Sequence, residues 1–200
     1  YKEQSFMTSR GTWEKYESNK VFGEFYKTTF RNSSVEISRG DLFKLVAVDF
    51  NAAIFSIVLW GYPRNMRGNS FEELLKNIDK LKILIHGKTQ FDEEEFLQMK
   101  RLLKGTGIGL STLSKFLYFF NIKFCNTRSL ILDSRIISVL QERKFKELHK
   151  LSEITEFKKD DYYIKYIKLM ADISKKYNYE VDQLELFLFM FGSNLKGSDR

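Results

Sequence analysis

Apolar residues recur three and four positions apart through most of the chain, the spacing that lines one face of an α-helix. A single proline, Pro63, and no Asn-Gly or Asp-Gly pair leave little signal for β-hairpins, so the pattern predicts an all-α fold. Asp41 stands where it can cap a helix running to about Trp60, apolar around most of its circumference and therefore expected to be a buried central helix. Gly61-Tyr-Pro-Arg-Asn-Met-Arg-Gly68 stops it. Ser70 with Glu73 then reads as a capping box opening a helix that ends near His86-Gly87. Further helices are expected over about 92–104, with Phe96, Met99, Leu102 and Leu103 on one side, over 110–120, over 134–148, over about 161–177 and over 181–191. The first forty residues, rich in Phe, Tyr and Ser, read as mixed helix and loop. Neither an internal repeat nor a low-complexity segment breaks the chain, so residues 1–200 read as one helical domain.

Composition narrows this picture. With 200 residues, 43% of them hydrophobic, the chain can bury a sizeable core and is not a disordered tail. Its 33 Lys and Arg against 26 Asp and Glu leave a net charge of +7, which suits a polyanionic partner and also serves solubility. The one cysteine, Cys125, cannot form an internal disulfide or supply a four-thiolate zinc or iron–sulfur site, and a reducing, cytoplasmic setting follows as the expectation. The most apolar run, residues 45–60, is interrupted by Asp49 and Asn51 and is short for a bilayer span, so no membrane partner is expected. No signal peptide opens the chain as given, and its first residue is not Met, which points to a trimmed or processed N-terminus.

Two predicted helices flank a glycine hairpin, Gly105-Thr-Gly-Ile-Gly109. Glycines allow a turn to adopt dihedrals closed to other residues and let a phosphate approach the main chain. The N–H groups opening the second helix, at Leu110, Ser111 and Thr112, have no intrahelical partner, and they would point at that phosphate with the positive end of the helix dipole. Lys100, Arg101, Lys104 and Lys115 add positive charge. Such a hairpin grips nucleic acid without reading bases. A glycine-rich corner between two helices accounts for the same residues.

The segment Leu103-Lys-Gly-Thr-Gly-Ile-Gly-Leu-Ser-Thr-Leu-Ser-Lys-Phe-Leu117 resembles the helix-hairpin-helix of the DNA glycosylase superfamily. That superfamily continues with a linker and a hydrophobic-Asp-Ser/Thr-x-hydrophobic segment, to which Leu132-Asp133-Ser134-Arg135-Ile136 is similar. The close match covers about 92–145, with the helix-hairpin-helix over about 92–120 and the catalytic segment over about 130–148. More loosely, Trp60-Gly-Tyr-Pro-Arg-Asn-Met-Arg-Gly68 is similar to a loop of bacterial proteins with 8-oxoguanine glycosylase folds. The resemblance implies two helical lobes with a cleft between them, duplex DNA as partner, a monomer, and Asp133 as the catalytic carboxylate. It further implies a monovalent cation, potassium or sodium, bridging hairpin and phosphate through the backbone carbonyls of Leu103, Gly105 and Ile108, and no other cofactor. Bifunctional members carry a lysine nucleophile two residues after the second glycine of the turn Gly107-Ile108-Gly109, where this chain has Ser111. Lys115 stands four residues further on, about one helical turn. A monofunctional enzyme without lyase activity is the resulting expectation.

Cleavage of an N-glycosidic bond builds positive charge on the sugar, and a carboxylate beside the anomeric carbon stabilises that charge and orients water. Asp133 suits both roles. It also reads as the N-cap of the helix that follows, and the two uses are compatible. The target base must leave the stack before the bond is reachable, which calls for a wedge and a pocket. Tyr62, Pro63 and Arg64 are the wedge candidates, with Asn65 and Arg67 near enough to contact phosphates or the unpaired partner base; Arg64 and Arg67 are also DNA-binding candidates. An ordinary solvated loop explains them equally. Trp60 is the candidate pocket residue, and as an aromatic at the end of an apolar helix it equally suits the core.

These readings favour an enzyme that excises a damaged or modified base, in DNA repair or in defence against phage. The loop similarity favours an oxidised purine, with a hypermodified phage-type cytosine as the other substrate class. Two alternatives remain: a helix-hairpin-helix DNA-binding module without chemistry, and a basic helical adaptor for protein.

Overall fold

A computed structural model describes residues 2–68, 70–124 and 126–195; Cys125 lies outside them. The fold is mostly α-helical. The chain forms two compact units, one from the residues up to Lys88 together with Gln98–Thr112, the other from Thr89–Leu97 and the residues from Leu113 on.

The first unit opens with strand β1 (Ser5–Ser9), helix α1 (Arg10–Trp13), helix α2 (Gly23–Thr29) and strand β2 (Ser34–Ser38). β1 and β2 pair antiparallel, with Phe6 opposite Ile37 and Thr8 opposite Val35. The all-α expectation missed this ribbon. Each strand is too short to show a pattern, and its partner is a long chain segment away, so no tight turn announces the pair. Helices α3 (Arg39–Leu45), α4 (Phe50–Gly61), α5 (Ser70–Lys76) and α6 (Ile78–Ile85) follow.

The single helix expected over 41–60 is thus two. Ser38, not Asp41, caps α3: its hydroxyl accepts from the Asp41 N–H at 3.1 Å while the Asp41 carboxylate accepts from the Ser38 N–H at 3.2 Å. The Ser38 hydroxyl also donates to the Asp41 carboxylate at 2.6 Å, and this bond, followed by that from the Ser38 N–H, holds the Asp41 carboxyl below its usual range. Asp49 restarts the chain as α4, its Oδ1 accepting from Ala52 N–H at 3.0 Å, a cap worth about 1 kcal/mol. The helix expected from Ser70 to His86 likewise breaks at Asn77, whose amide donates to the Glu73 carbonyl at 2.7 Å and competes with the helical ladder. Glu73 pairs with Lys76 at 2.8 Å.

α4 is buried from Ala53 through Trp60, as its apolar circumference requires. Around it sit Trp13, Tyr16, Phe22, Tyr26 and Phe71, largely in edge-to-face contact; the Phe22 ring lies 5.2 Å from Phe55 and 5.1 Å from Phe71.

The second unit contains strands β3 (Gln90–Phe91), β4 (Lys123–Phe124) and β5 (Thr127–Arg128), with β4 between a parallel β3 and an antiparallel β5. Helix α7 (Glu93–Leu102) is opened by a reciprocal Asp92–Glu95 capping pair, and both α7 and α8 (Leu110–Phe119) contain residues of both units. α9 (Ser134–Gln141), α10 (Lys159–Tyr177) and α11 (Val181–Phe191) complete it. α9 stops well short of residue 148 because the chain turns at Arg143, in the left-handed region at φ 54°, before a 3-10 turn over Lys146–Leu151. Phe96 stacks on Tyr163 at 5.4 Å in this unit's core. Among the described residues no helix is long and apolar enough to cross a membrane.

Candidate active site

Asp133 is the N-cap of α9, with extended backbone and Oδ1 accepting from the N–H groups of Arg135 and Ile136, each at 3.1 Å. The other carboxylate oxygen, Oδ2, lies 3.9 Å from Lys115 Nζ of α8. One oxygen is therefore fixed by the helix terminus, and the second is left for an ion pair and for solvent. The two side chains differ in exposure, 18% for Asp133 and 4% for Lys115. The carboxylate is the more open partner and the ammonium stands behind it.

The stretch leading to Asp133 is held on both sides within the second unit. Ser114 of α8 accepts from the Leu132 N–H at 3.1 Å. From α10, the buried phenols of Tyr163 and Tyr166 donate to the carbonyls of Leu130 and Ile131 at 3.0 and 3.1 Å. Burial pushes the Tyr163 phenol well above its usual range, so it remains a donor throughout the accessible pH range. These bonds engage the Leu130 and Ile131 carbonyls and the Leu132 N–H in a stretch with no sheet or helix of its own, and set the approach to Asp133. Tyr163→Phe leaves the Leu130 carbonyl without its donor in a dry interior and is expected to cost about 1–3 kcal/mol in urea unfolding.

In the first unit the hairpin turns at Gly105 (φ 79°) and Gly107 (φ 74°), both in the region that favours glycine. Gly107 lies against the first residue of α5: a Cβ there would overlap the Ser70 carbonyl oxygen and stand 2.9 Å from its carbon. Gly109 is exposed, has ordinary backbone and faces open space. Ile108 and Leu110 are buried, so the hairpin's apolar side anchors it while Gly109 is exposed; the Thr112 N–H is already taken by the Gly109 carbonyl at 3.0 Å, which leaves the N–H groups of Leu110 and Ser111 as the candidates for a phosphate. Ser111, half-buried, and Thr112, buried, lie in the first turn of α8.

Several expectations change here. Lys115 is not on a phosphate-facing surface; it is enclosed beside Asp133. Trp60 is 2% exposed, with the Arg39 guanidinium 5.3 Å from its ring centre and Phe6 edge-on at 5.4 Å, so it belongs to the core and offers no stacking face to a base. The Leu103 carbonyl accepts from both the N–H and the hydroxyl of Thr106, at 3.2 and 2.6 Å, which occupies its lone pairs and does not fit the cation-binding role implied with Gly105 and Ile108. Tyr62 and Pro63 are half-buried and tied down: Tyr62 shares a hydroxyl hydrogen bond with Thr112 at 2.8 Å, and the Pro63 carbonyl accepts from Thr8 at 2.8 Å. Arg64 and Arg67 are exposed. Ser114, Tyr163 and Tyr166 went unnoticed because nothing local marks a hydroxyl whose acceptor is a distant carbonyl.

A family model described as "Putative 8-oxoguanine DNA glycosylase OGG-like protein" matches residues 1–189. The chain belongs to this family. No curated protein and no solved structure matches it. The OGG-like match extends far beyond the hairpin and the Asp133 segment, and takes in the β1–β2 ribbon and the 61–68 loop as parts of the same family unit.

Proposed function

We propose that this OGG-like chain is a DNA N-glycosylase that binds duplex DNA through its hairpin, receives an extruded base, and cleaves the N-glycosidic bond with Asp133. The observation that carries the reading is the Asp133 carboxylate itself: rigidly capped through one oxygen, accessible through the other, and backed by a nearly enclosed lysine. As the C1′–N bond breaks, its electron pair leaves with the base and the sugar becomes cationic; Asp133 stabilises that cation and aligns the water that attacks C1′. Water gives one proton to the departing base and leaves its hydroxyl on the sugar, so the products are free base and an abasic site. Lys115 holds Asp133 in place and balances its charge. The substrate we propose is an oxidised purine, in keeping with the family description. Incubation with oligonucleotides carrying oxidised purines, hypermodified cytosines and other altered bases tests this, with release of free base and alkali-labile sites as readouts. Release from modified cytosine alone would transfer the assignment to that substrate, and binding without release from any of them would leave a DNA-binding module.

One observation favours a second reading, in which Lys115 attacks C1′ as a nucleophile: its amine is only 3.9 Å from Asp133. The exposures argue for water instead, since the lysine would have to reach past the carboxylate. Borohydride is therefore expected to trap no covalent protein–DNA adduct. An adduct that disappears in Lys115→Ala would establish the lysine route.

A further inference from the structure

The loop over residues 61–68 is stitched to the hairpin within the first unit at two points. Tyr62 Oη and Thr112 Oγ1 are 2.8 Å apart, joining the start of the loop to the first turn of α8. Just past the loop, the Ser70 carbonyl sits where a Cβ of Gly107 would be, joining the loop's far end to the hairpin turn. The loop is also stiff. Pro63 is held from behind by a buried relay in which Trp13 Nε1 donates to Thr8 Oγ1, and Thr8 donates to the Pro63 carbonyl, both at 2.8 Å. Asn65 closes a turn onto the Tyr62 carbonyl with φ 78°, and its side chain accepts from the Met66 N–H at 2.7 Å.

Charge on the joined segments is of one sign. No Asp or Glu occurs between Gly61 and Phe71, nor between Phe96 and Leu132. Arg64 and Arg67 on the loop, and Arg101 and Lys104 beside the hairpin, are exposed, and none of the four has a side-chain partner among the described residues. Many cations elsewhere in the protein are paired, among them Lys76, Lys144 and Lys159. Acid-free segments carrying exposed guanidinium groups, tied to the hairpin that bears the open backbone of Gly109, are complementary to the phosphodiester backbone of a duplex.

We infer that the 61–68 loop and the hairpin form one phosphate clamp, in which Arg64 and Arg67 bind the DNA backbone in concert with the hairpin. Tyr62 and Pro63 anchor the loop and are not the wedge that displaces a base. The inference rests on the glycosylase reading for its choice of duplex DNA, and it adds a sequence-independent electrostatic contact that holds the duplex on the first unit.

The test is binding of the full chain to undamaged duplexes of two unrelated sequences, by fluorescence anisotropy over a range of salt concentrations. The variant Arg64→Gln/Arg67→Gln is expected to flatten the slope of log affinity against log salt by about 1 per arginine, equally for both sequences. Tyr62→Phe, which removes one hydroxyl and keeps the ring, is expected to weaken both duplexes and to make the arginine losses smaller than in the wild-type background. An unchanged slope in the arginine variant overturns the clamp. So does a Tyr62→Phe protein that binds as wild type yet loses the 2-aminopurine fluorescence rise that reports base extrusion, because the loop is then a wedge. A flattened slope in a protein that releases no base from any oligonucleotide supports the clamp while removing the glycosylase assignment.

Discussion

Asp133→Asn is expected to lower single-turnover base excision by on the order of 10²-fold or more while duplex binding survives. The asparagine carbonyl can still accept from the Arg135 and Ile136 N–H groups, so the cap of α9 is retained. What disappears is the negative charge that the developing sugar cation requires, and removal of one preorganised electrostatic contact typically costs that much. The substitution has a second consequence, because Lys115, only 4% exposed, loses the carboxylate 3.9 Å away and with it part of the compensation for its charge in a nearly enclosed site. The single variant should therefore unfold earlier than wild type. A double variant, Asp133→Asn with Lys115→Met, removes both charges and is expected to recover most of the stability without recovering excision. Circular dichroism melting read beside the kinetics separates the two effects. A folded double variant that excises at the wild-type rate would remove Asp133 from the chemistry.

The elements most legible in the sequence are those whose signals are local. The start of α8 at Leu110 and the cap at Asp133 each depend on neighbours within a few positions, and the structure places them as read, whereas the left-handed residues of the hairpin are Gly105 and Gly107 and not Gly109. The span of α11 likewise follows from its short apolar run after Glu180. Helix breaks were harder to read. Hydrophobic periodicity carries through residues 46–49 and through Asn77, where the chain leaves the helix because a side chain captures a backbone group, an interaction that a count of apolar positions does not register.

The candidate site was legible in its parts and not in their assembly. Ser111, Ser114 and Lys115 are spaced i, i+3 and i+4, which puts them on one face of α8. Position counting correctly separates Lys115 from the place that Ser111 holds, yet a long side chain one turn further along that face reaches Asp133 all the same. Trp60 and Tyr62 illustrate the opposite limit. Both are aromatic, both flank a glycine at a helix end, and only the fold distinguishes a ring enclosed by Arg39 and Phe6 from one whose hydroxyl meets Thr112, fifty positions away in the chain.

Gly107 and Gly109, two of the three hairpin glycines and equivalent in the motif, are expected to respond differently to alanine. Gly107→Ala places a methyl group into the Ser70 carbonyl and forces a non-glycine residue to φ 74°, so either the turn or the start of α5 must move. Backbone strain and overpacking together are expected to cost on the order of 2–4 kcal/mol, visible as an earlier transition in urea. Its DNA affinity should fall as a consequence, because the hairpin and the loop are no longer seated together. Gly109→Ala meets nothing within 4 Å and needs no unusual dihedral, so its stability should match wild type. Its methyl group stands instead on the exposed side, between an approaching phosphate and the N–H groups that open α8. Loss of a charge-assisted hydrogen bond there corresponds to a fall in affinity of about tenfold, the same for unrelated duplexes because no base is read. Urea unfolding and anisotropy on both variants give four values, and the expected pattern is an early transition for Gly107→Ala with weak binding at wild-type stability for Gly109→Ala. A Gly107→Ala protein as stable as wild type would show that the hairpin does not lean on Ser70, and a Gly109→Ala protein that binds every duplex normally would show that phosphate does not approach the backbone there.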